Sequence, residues 1–410
     1  MTGLSRHNPL WDQGRAGTEP SRVLDDESLL LATDFEGGNG AALRRLGPDH
    51  YYVRLEPEPG THPYSGNGYY LSIGLQNRQG PARRVRLRVQ APTLPQWRWA
   101  PQMQHMVLRR GGAWSQLDPA AIRQVEGSGD TVDVDLPLPG ADEPDPTLFV
   151  SNYHWWPYSE VVDWLRGLPP ERARVVEIAR SYQGRPIYAV EIGAAPDGAP
   201  CLVHTQTPQP AEMGSLACRA MVDYLCSDAP GAADIRRRFS TRFVPATNPD
   251  GTVQGYGVSD CQGRFPFFEG HLAAGSDPSA TPETAAVWRY LSAHRPWLFW
   301  EWHSNHWSRR PGHMLLRYRH NLLTDATRER LWDDLEARLL ALPDTHDSGF
   351  TSWTEGGYQN SMGFQAVVRL GTIACMIKHH DKFPLAQTRA HAVACLRSAV
   401  DAWDAAYAPG

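Results

Sequence analysis

Lysine is rare in this chain of 410 residues, which carries only Lys378 and Lys382 against 38 arginines. Arginine stays charged in proteins, whereas the lysine ammonium is a compact cation whose pKa moves on burial. A chain that uses arginine almost everywhere else makes Lys378 a candidate for chemistry or for a buried ion pair. The alternative at this stage is that a biased composition has left two lysines by chance.

Other polar side chains lie where apolar runs of the sequence end. Gln209 and Glu212 follow one such run, Glu301 and His303 end a second, and Lys378 ends a third. Since alternate side chains of a strand share a face, Glu301 and His303 are expected to point to the same side. Carboxylates, imidazoles and amines serve as general acids, general bases and nucleophiles.

The second part of the chain alternates amphipathic helices with apolar runs. Helices are predicted over 158–168, 215–226, 282–294, 324–342 and 385–406, and strands over 175–179, 187–192, 201–205, 241–244, 297–302 and 373–377. This alternation predicts an α/β domain with a mixed, mostly parallel central sheet flanked by helices. Ligand sites of such sheets lie beyond the carboxyl ends of the strands, which is where the polar residues fall.

The first part of the chain has a different rhythm. Between about residues 34 and 151, short alternating runs are separated by glycine and proline clusters, which predicts an antiparallel β-sandwich. We predict an N-terminal extension over 1–30, the β-sandwich over 31–152 and the α/β domain over 153–408. The residues Asn248 to Gly251, Asn-Pro-Asp-Gly, predict a tight turn.

Composition narrows the classes of function. A net charge of −5 and a pI near 6.3 give no basic field, so we expect no nucleic-acid or membrane partner. A small molecule or a peptide is the expected ligand, and the oligomeric state stays open. The polar start has no apolar signal segment, which predicts a cytoplasmic protein. The six cysteines lack the spacing of a zinc finger, and His306, His313, His379 and His380 are expected on loops or the surface.

Several motifs in order resemble those of the zinc carboxypeptidases, in particular the cytosolic carboxypeptidase branch with its β-sandwich ahead of the catalytic domain. The resemblance covers about residues 30 to 400. It is carried by Phe35 to Gly40, Tyr182 to Ile187, Gln209 to Glu212, Asn248 to Gly251, Pro282 to Thr284, Trp302-His303 and Tyr358.

The resemblance implies a metal centre with altered residues. Gln209, Glu212 and His303 occupy the three metal-ligand positions, and Gln209 stands where the family has a histidine. A carboxamide oxygen is a much weaker zinc donor than an imidazole nitrogen. Lys378 falls at or beside the position of the family's catalytic glutamate, and Tyr358 matches a tyrosine near the substrate.

The resemblance also implies an altered substrate pocket. The family segment that holds the substrate carboxylate through Asn and Arg aligns with residues 263–268, where that pair of groups is lost. Aromatic rings can stack on a ligand, but they cannot donate the paired hydrogen bonds that a carboxylate prefers. The residues assigned to substrate binding are Arg264, Phe265, Phe267, Phe268, Asn248 and Asp250.

Two states of this centre remain open. In the first, Gln209, Glu212, neutral His303 and protonated Lys378 sum to zero charge, and the Lys378 ammonium replaces the metal and pairs with Glu212. In the second, zinc is bound by Glu212 and His303 together with either Glu301 or the nearby His306, and Lys378 acts as a neutral base or nucleophile.

Whether the protein is an enzyme therefore stays open. The sequence predicts either a carboxypeptidase-like hydrolase for a peptide, amino-acyl or other amide substrate, or a metal-free binding protein on an inactive peptidase scaffold. A weaker option is Schiff-base chemistry at Lys378, which the nearby Glu212 would oppose by raising the lysine pKa.

Overall fold

The fold was analysed on a computed structural model that describes residues 22–60, 70–91, 105–193, 198–267, 281–304, 312–318, 326–347 and 360–407. The predictions for Phe268, Tyr358 and His306 lie outside these residues. The chain divides into two units, of which the first contains Met1–Pro157 and Asp250–Phe265. The second contains Tyr158–Pro249 and Pro266–Gly410.

The first unit is built from two β-sheets. Its strands are β1 (Val23–Asp26), β2 (Leu29–Ala32), β3 (Ala41–Gly47), β4 (His50–Arg54), β5 (Ser72–Asn77), β6 (Arg83–Gln90), β7 (Val107–Arg110), β8 (Ala113–Gln116), β9 (Ile122–Gln124), β10 (Thr131–Leu138) and β11 (Thr147–Ser151). One sheet has the order β1-β2-β5-β11-β7-β8 and the other β3-β4-β6-β10-β9. All pairings are antiparallel except β4 with β6, so the predicted antiparallel N-terminal sheets are confirmed.

Strand β6 shows why these segments become strands. Val85, Leu87 and Val89 are buried and alternate with polar side chains that face away from the core. On the polar side Arg88 pairs with Asp133 of β10, with Nε 2.8 Å from Oδ1. A shift of one residue would move the apolar side chains to the solvent face, so the alternation fixes the register.

The segment 257–259 is bound to the earlier part of the first unit through the carboxylate of Glu58. This buried side chain accepts hydrogen bonds from the amides of Gly257, Val258 and Ser259, at 2.6, 3.0 and 2.8 Å. Burial raises the pKa of Glu58, and the three amides oppose the shift. One side chain thus satisfies three buried backbone donors of a distant segment.

The glycine-rich motif of the first unit packs against the same segment. The Gly37 amide donates to the carbonyl of Val253 at 2.9 Å. Gly255 has a positive φ of 69°, and a Cβ there would lie 2.9 Å from the Gly37 carbonyl oxygen. The close approach of two backbones therefore requires glycine in this part of the chain.

The second unit is an α/β domain with an eight-stranded sheet. Its strands are β12 (Ala173–Arg180), β13 (Pro186–Ile192), β14 (Cys201–Gln206), β15 (Ser240–Val244), β16 (Leu298–Ser304), β17 (His313–Arg317), β18 (Thr345–Asp347) and β19 (Ile373–His379). Their order is β12-β13-β15-β14-β16-β19-β17-β18. The central pairs β15–β14, β14–β16 and β16–β19 are parallel, as are β17 and β18, and the other pairs are antiparallel. The predicted mixed sheet is confirmed.

Helices pack around this sheet. They are α1 (Tyr158–Arg166), α2 (Gly214–Cys226), α3 (Ala232–Arg238), α5 (Pro282–His294), α6 (Ala326–Leu340), α7 (Met362–Leu370) and α8 (Leu385–Tyr407), and a short α4 (Pro249–Gln254) leads into the first unit. Helix α8 packs against α2 and α6, whereas α7 packs against α5, β16 and β19. No helix in the described ranges is both long and apolar enough to cross a membrane.

Two predictions about local structure were wrong. The Asn-Pro-Asp-Gly segment is not an isolated tight turn, because Pro249 is the first residue of α4. Proline suits that position, since its fixed φ is helical and the first helical N–H has no intrahelical partner. The histidines His313 and His379 are neither on loops nor at the surface, because they lie in β17 and β19 and are fully buried, whereas His380 lies in the loop after β19 but is buried as well.

We expect Glu58→Leu to destabilise the protein by about 3 kcal/mol or more, because it leaves three buried amides without their acceptor. Glu58→Gln keeps one acceptor oxygen and should cost less. The free energy of unfolding from urea titrations measures both effects. Glu126→Gln, a change at an exposed carboxylate, is the control, and a Glu58→Leu protein as stable as this control would contradict the role given to Glu58.

Candidate active site

The central strands place three polar side chains on one face of the sheet. In the parallel register Glu301 lies opposite Met376, and His303 lies opposite Lys378. Because side chains alternate along a strand, Glu301, His303 and Lys378 point to the same side. They lie near the carboxyl ends of β16 and β19, where the α/β architecture places ligand sites.

The loop after β14 is held in place by its neighbours. The Thr207 amide donates to the Trp302 carbonyl at 3.1 Å, and the Thr247 hydroxyl donates to the Thr207 carbonyl at 3.0 Å. The Asn248 side-chain amide donates to the Pro208 carbonyl at 3.0 Å. Asn248, which was assigned to substrate binding, therefore braces the loop that leads to Glu212.

Glu212 and His303 form the centre of the site. Oε2 of Glu212 accepts a hydrogen bond from the Ser304 amide at 2.8 Å and lies 2.9 Å from Nδ1 of His303. The Ser304 hydroxyl accepts from the Met213 amide at 2.9 Å, which links β16 to the start of α2. Both Glu212 and His303 are buried; burial lowers the pKa of His303, and the Glu212 carboxylate opposes that shift.

Gln209 takes a local role in the loop. Its backbone carbonyl accepts from the Glu212 amide at 3.2 Å, and its side-chain oxygen accepts a long 3.5 Å contact from the Thr207 hydroxyl. In the described part of the chain, its side chain makes no hydrogen bond to Glu212 or His303. The Gln209 side chain thus contacts the neighbouring Thr207, whose hydroxyl also accepts from the Gln209 backbone amide at 3.4 Å, where the resemblance placed a metal ligand.

Lys378 lies beside His303 but does not form the ion pair with Glu212 that the first state of the centre required. Burial lowers the lysine pKa, and the charges of Glu212 and Glu301 oppose the shift. Within the described ranges, no carboxylate lies within salt-bridge distance of its ammonium. Oε2 of Glu212 instead accepts a hydrogen bond from the Ser304 amide and lies next to Nδ1 of His303.

Glu301 turns toward α7. Its Oε2 accepts from the Tyr318 hydroxyl at 3.1 Å, and the Gly363 amide in the first turn of α7 also donates to the carboxylate. A Cβ at Gly363 would overlap the Tyr318 ring, so glycine is required there. Burial raises the pKa of Glu301 to about 7. Sequence reasoning missed Tyr318, which no motif singles out.

Asp381 is a further buried carboxyl group that the sequence did not reveal. It lies two residues beyond β19, is fully buried and lies near the Ser304 hydroxyl. Burial and the nearby Glu212 charge raise its pKa well above the usual value. It adds a second carboxyl group to the Glu212 end of the site.

The residues present do not fit a zinc ion held as the resemblance implies. Glu212 and His303 supply two strong donors, but Glu301 is directed at Tyr318 and Gly363. Among the described residues, no third histidine, cysteine or carboxylate atom lies close enough to these two to share an ion. Catalytic zinc sites use three protein ligands, and the Gln209 carboxamide is a poor third one.

The remaining assigned residues lie in different parts of the chain. The Phe267 ring packs edge-on against His303, with centroids 5.3 Å apart. Arg264, Phe265 and Asp250 belong to the first unit, where Asp250 is buried in α4 and Phe265 is also buried. The Phe267 ring is therefore the aromatic group that the second unit places at the centre.

This fold is shared with bacterial metallocarboxypeptidases of known structure. A metallo-carboxypeptidase from Burkholderia cenocepacia superposes with a TM-score of 0.73 and 17% identity, over 92% of this chain and 99% of that one. A metallo-carboxypeptidase from Pseudomonas aeruginosa gives a TM-score of 0.74 and 14% identity, over 92% and 100% of the two chains. No curated protein matches the sequence.

The sequence itself carries the family signal in the first part of the α/β unit. Residues 158–257 match the family described as zinc carboxypeptidase. This match agrees with the resemblance that the motifs predicted, and the shared fold is consistent with it.

We expect Gly214→Ala to disturb the Glu212 loop, because a Cβ at Gly214 would overlap the Trp302 carbonyl and lie 2.8 Å from Gln206 Cα. The expected loss of stability is about 1–3 kcal/mol, measured as the shift of the denaturant midpoint. Gly167→Ala is the matched control, because its Cβ would meet the nearest atom at an ordinary 3.5 Å. Equal midpoints for the two variants would contradict this packing argument.

Proposed function

We propose that this protein binds a peptide or amino-acyl ligand at the altered centre and does not carry out metal-dependent hydrolysis. The observation that carries the proposal is the donor set, since in the part of the chain that the structure describes Glu212 and His303 are two strong ligands where a catalytic zinc site needs three. Glu301, which could have been the third, bonds to Tyr318 and Gly363 instead.

The position of Lys378 supports the same reading. A lysine ammonium next to a dication would be repelled by about 4 kcal/mol per unit of charge at about 4 Å and an effective dielectric near 20. A family glutamate at this place would instead attract the metal and take a proton from water. The replacement of a negative glutamate by a positive lysine therefore disfavours both metal binding and base catalysis.

Lys378 also provides a hydrogen-bond donor that can recognise a ligand. The Lys378 ammonium lies beside His303, and within the described ranges no carboxylate is in salt-bridge distance of it. It can donate to a carbonyl or carboxylate oxygen of a peptide or amino-acyl group. The Phe267 ring packed on His303 adds an apolar wall for a ligand side chain.

A second candidate, hydrolysis at a non-standard centre, is favoured by Glu301. This buried carboxyl group lies on the same face as His303 and Lys378, and Tyr318 holds it in place. In that case Glu301 would act as the general base, and the Glu301→Gln variant would lose the hydrolytic activity.

We expect Gln209→His combined with Lys378→Glu to gain one tightly bound zinc per chain, because the pair restores a third ligand and removes the cation. Metal content after dialysis measures the gain. Each protein is compared with its own His303→Ala derivative, so that zinc held elsewhere is subtracted. Gln209→His with Lys382→Glu is the control of equal charge. Wild-type protein that already holds zinc, lost in His303→Ala, would refute the proposal.

We expect the wild-type chain to bind N-blocked dipeptides in calorimetry without releasing an amino acid. Lys378→Met should weaken binding at least about 10-fold, because a charged hydrogen bond contributes roughly 1.5–3 kcal/mol. Lys382→Met is the control and should leave the affinity unchanged. Release of amino acid by the wild type, abolished in Glu301→Gln, would favour the hydrolase instead.

A further inference from the structure

Three buried histidines meet on the side of the sheet opposite Lys378. His313 is the first residue of β17, His379 is the last residue of β19, and His391 lies in α8. The antiparallel register that pairs Met314 with Lys378 continues to place His313 opposite His379. Because neighbours along a strand point to opposite faces, His379 is directed away from the candidate active site.

The three rings lie close together. Nε2 of His379 is 3.1 Å from Nδ1 of His391, and the ring centroids of His313 and His391 are 4.0 Å apart. One ligand nitrogen from each histidine lies within 4.8 Å of the other two. Donor atoms around a tetrahedral zinc at about 2.0–2.1 Å are separated by roughly 3.3 Å, so small ring rotations complete the geometry.

The hydrogen bonds of the cluster leave nitrogens for a ligand. His313 and His379 are fully buried, and Nε2 of His313 and Nδ1 of His379 have no hydrogen-bond partner among the described residues. A buried polar group without a hydrogen-bond partner lowers the stability of a protein by about 1–3 kcal/mol. Two such nitrogens in one cluster are therefore unfavourable unless a ligand binds there.

Surrounding groups orient the rings as in metal sites. Nε2 of His391 contacts the Thr345 hydroxyl at 2.8 Å, so Nδ1, which shares a hydrogen bond with Nε2 of His379, is the nitrogen that faces the cluster, and a metal would replace that bond. Nδ1 of His313 accepts from the His380 amide at 3.2 Å, so the neutral ring carries its proton on Nε2. A metal at Nε2 requires that proton to move to Nδ1, which gives up this long hydrogen bond.

We propose that His313, His379 and His391 form a second, three-histidine site for a transition-metal dication such as Zn²⁺, Co²⁺ or Ni²⁺. Three imidazoles suit these ions and not Mg²⁺ or Ca²⁺, which prefer oxygen ligands. Burial lowers the pKa of His391 to about 4, which keeps that ring in the unprotonated form that binds metal.

The chemistry of the site distinguishes it from the family centre. The ligands of the family centre are Glu212 and His303, whereas this cluster uses no carboxylate and lies beside α8. Cys395 is a neighbour in α8, with Sγ 3.6 Å from Nδ1 of His391, but its sulfur is not part of the group of atoms within 4.8 Å. The expected metal therefore binds through nitrogen alone from the protein.

The test uses the full chain carrying Glu212→Gln and His303→Ala, so that the family centre cannot contribute. After treatment with a chelator, calorimetric titration with Zn²⁺ should show one equivalent bound. X-ray absorption of the loaded protein should show three imidazole ligands at about 2.0–2.1 Å. In this background, His379→Phe and His391→Gln should each weaken binding at least about 100-fold, with folding checked by circular dichroism.

Two control variants sharpen the result. Cys395→Ser and His294→Gln, made in the same background, should bind zinc within a few-fold of the parent. No zinc uptake by the parent, or zinc coordinated by sulfur, would overturn the proposal. Unchanged affinity in a folded His379→Phe or His391→Gln would do so as well, since the site is defined by these rings.

Discussion

The parallel register of β14, β16 and β19 is the constraint on which the rest of the second unit depends. It sets Glu301 and His303 on one face with Lys378, and the buried Trp300 and Trp302 alternate with them on the other. A slip by one residue would exchange the two faces and place Glu301 and His303 where the indole rings pack, away from their hydrogen-bond partners. The packing of these tryptophans thus helps to fix which residues of β16 face the polar site.

Strong local patterns made much of this fold predictable. Helix α5 has the predicted bounds, because Pro282 opens it and a periodic run follows. Helix α7 and strand β17 were not predicted, since α7 is short and β17 joins the sheet through an antiparallel partner far away in sequence. Pairings of that kind depend on tertiary contacts that a single sequence does not display.

The candidate site was predictable in its positions and less so in its contacts. Strand ends and motif order identified Glu212, His303 and Lys378, which the sheet does bring together. The direction of the Glu301 side chain was not predictable, because Tyr318 and the start of α7 decide it. The same holds for the histidine cluster, whose members come from three elements and share no metal-ligand spacing in the sequence.

The bonds from Glu58 to residues 257–259 also set an order of events during synthesis. The first unit is not complete when residue 157 leaves the ribosome. The amides that donate to Glu58 belong to residues 257–259, which are synthesised about a hundred residues later. At roughly 5–20 residues per second, that interval lasts on the order of 5–20 seconds. During this interval the Glu58 carboxylate lacks the three amide donors that it has in the folded protein.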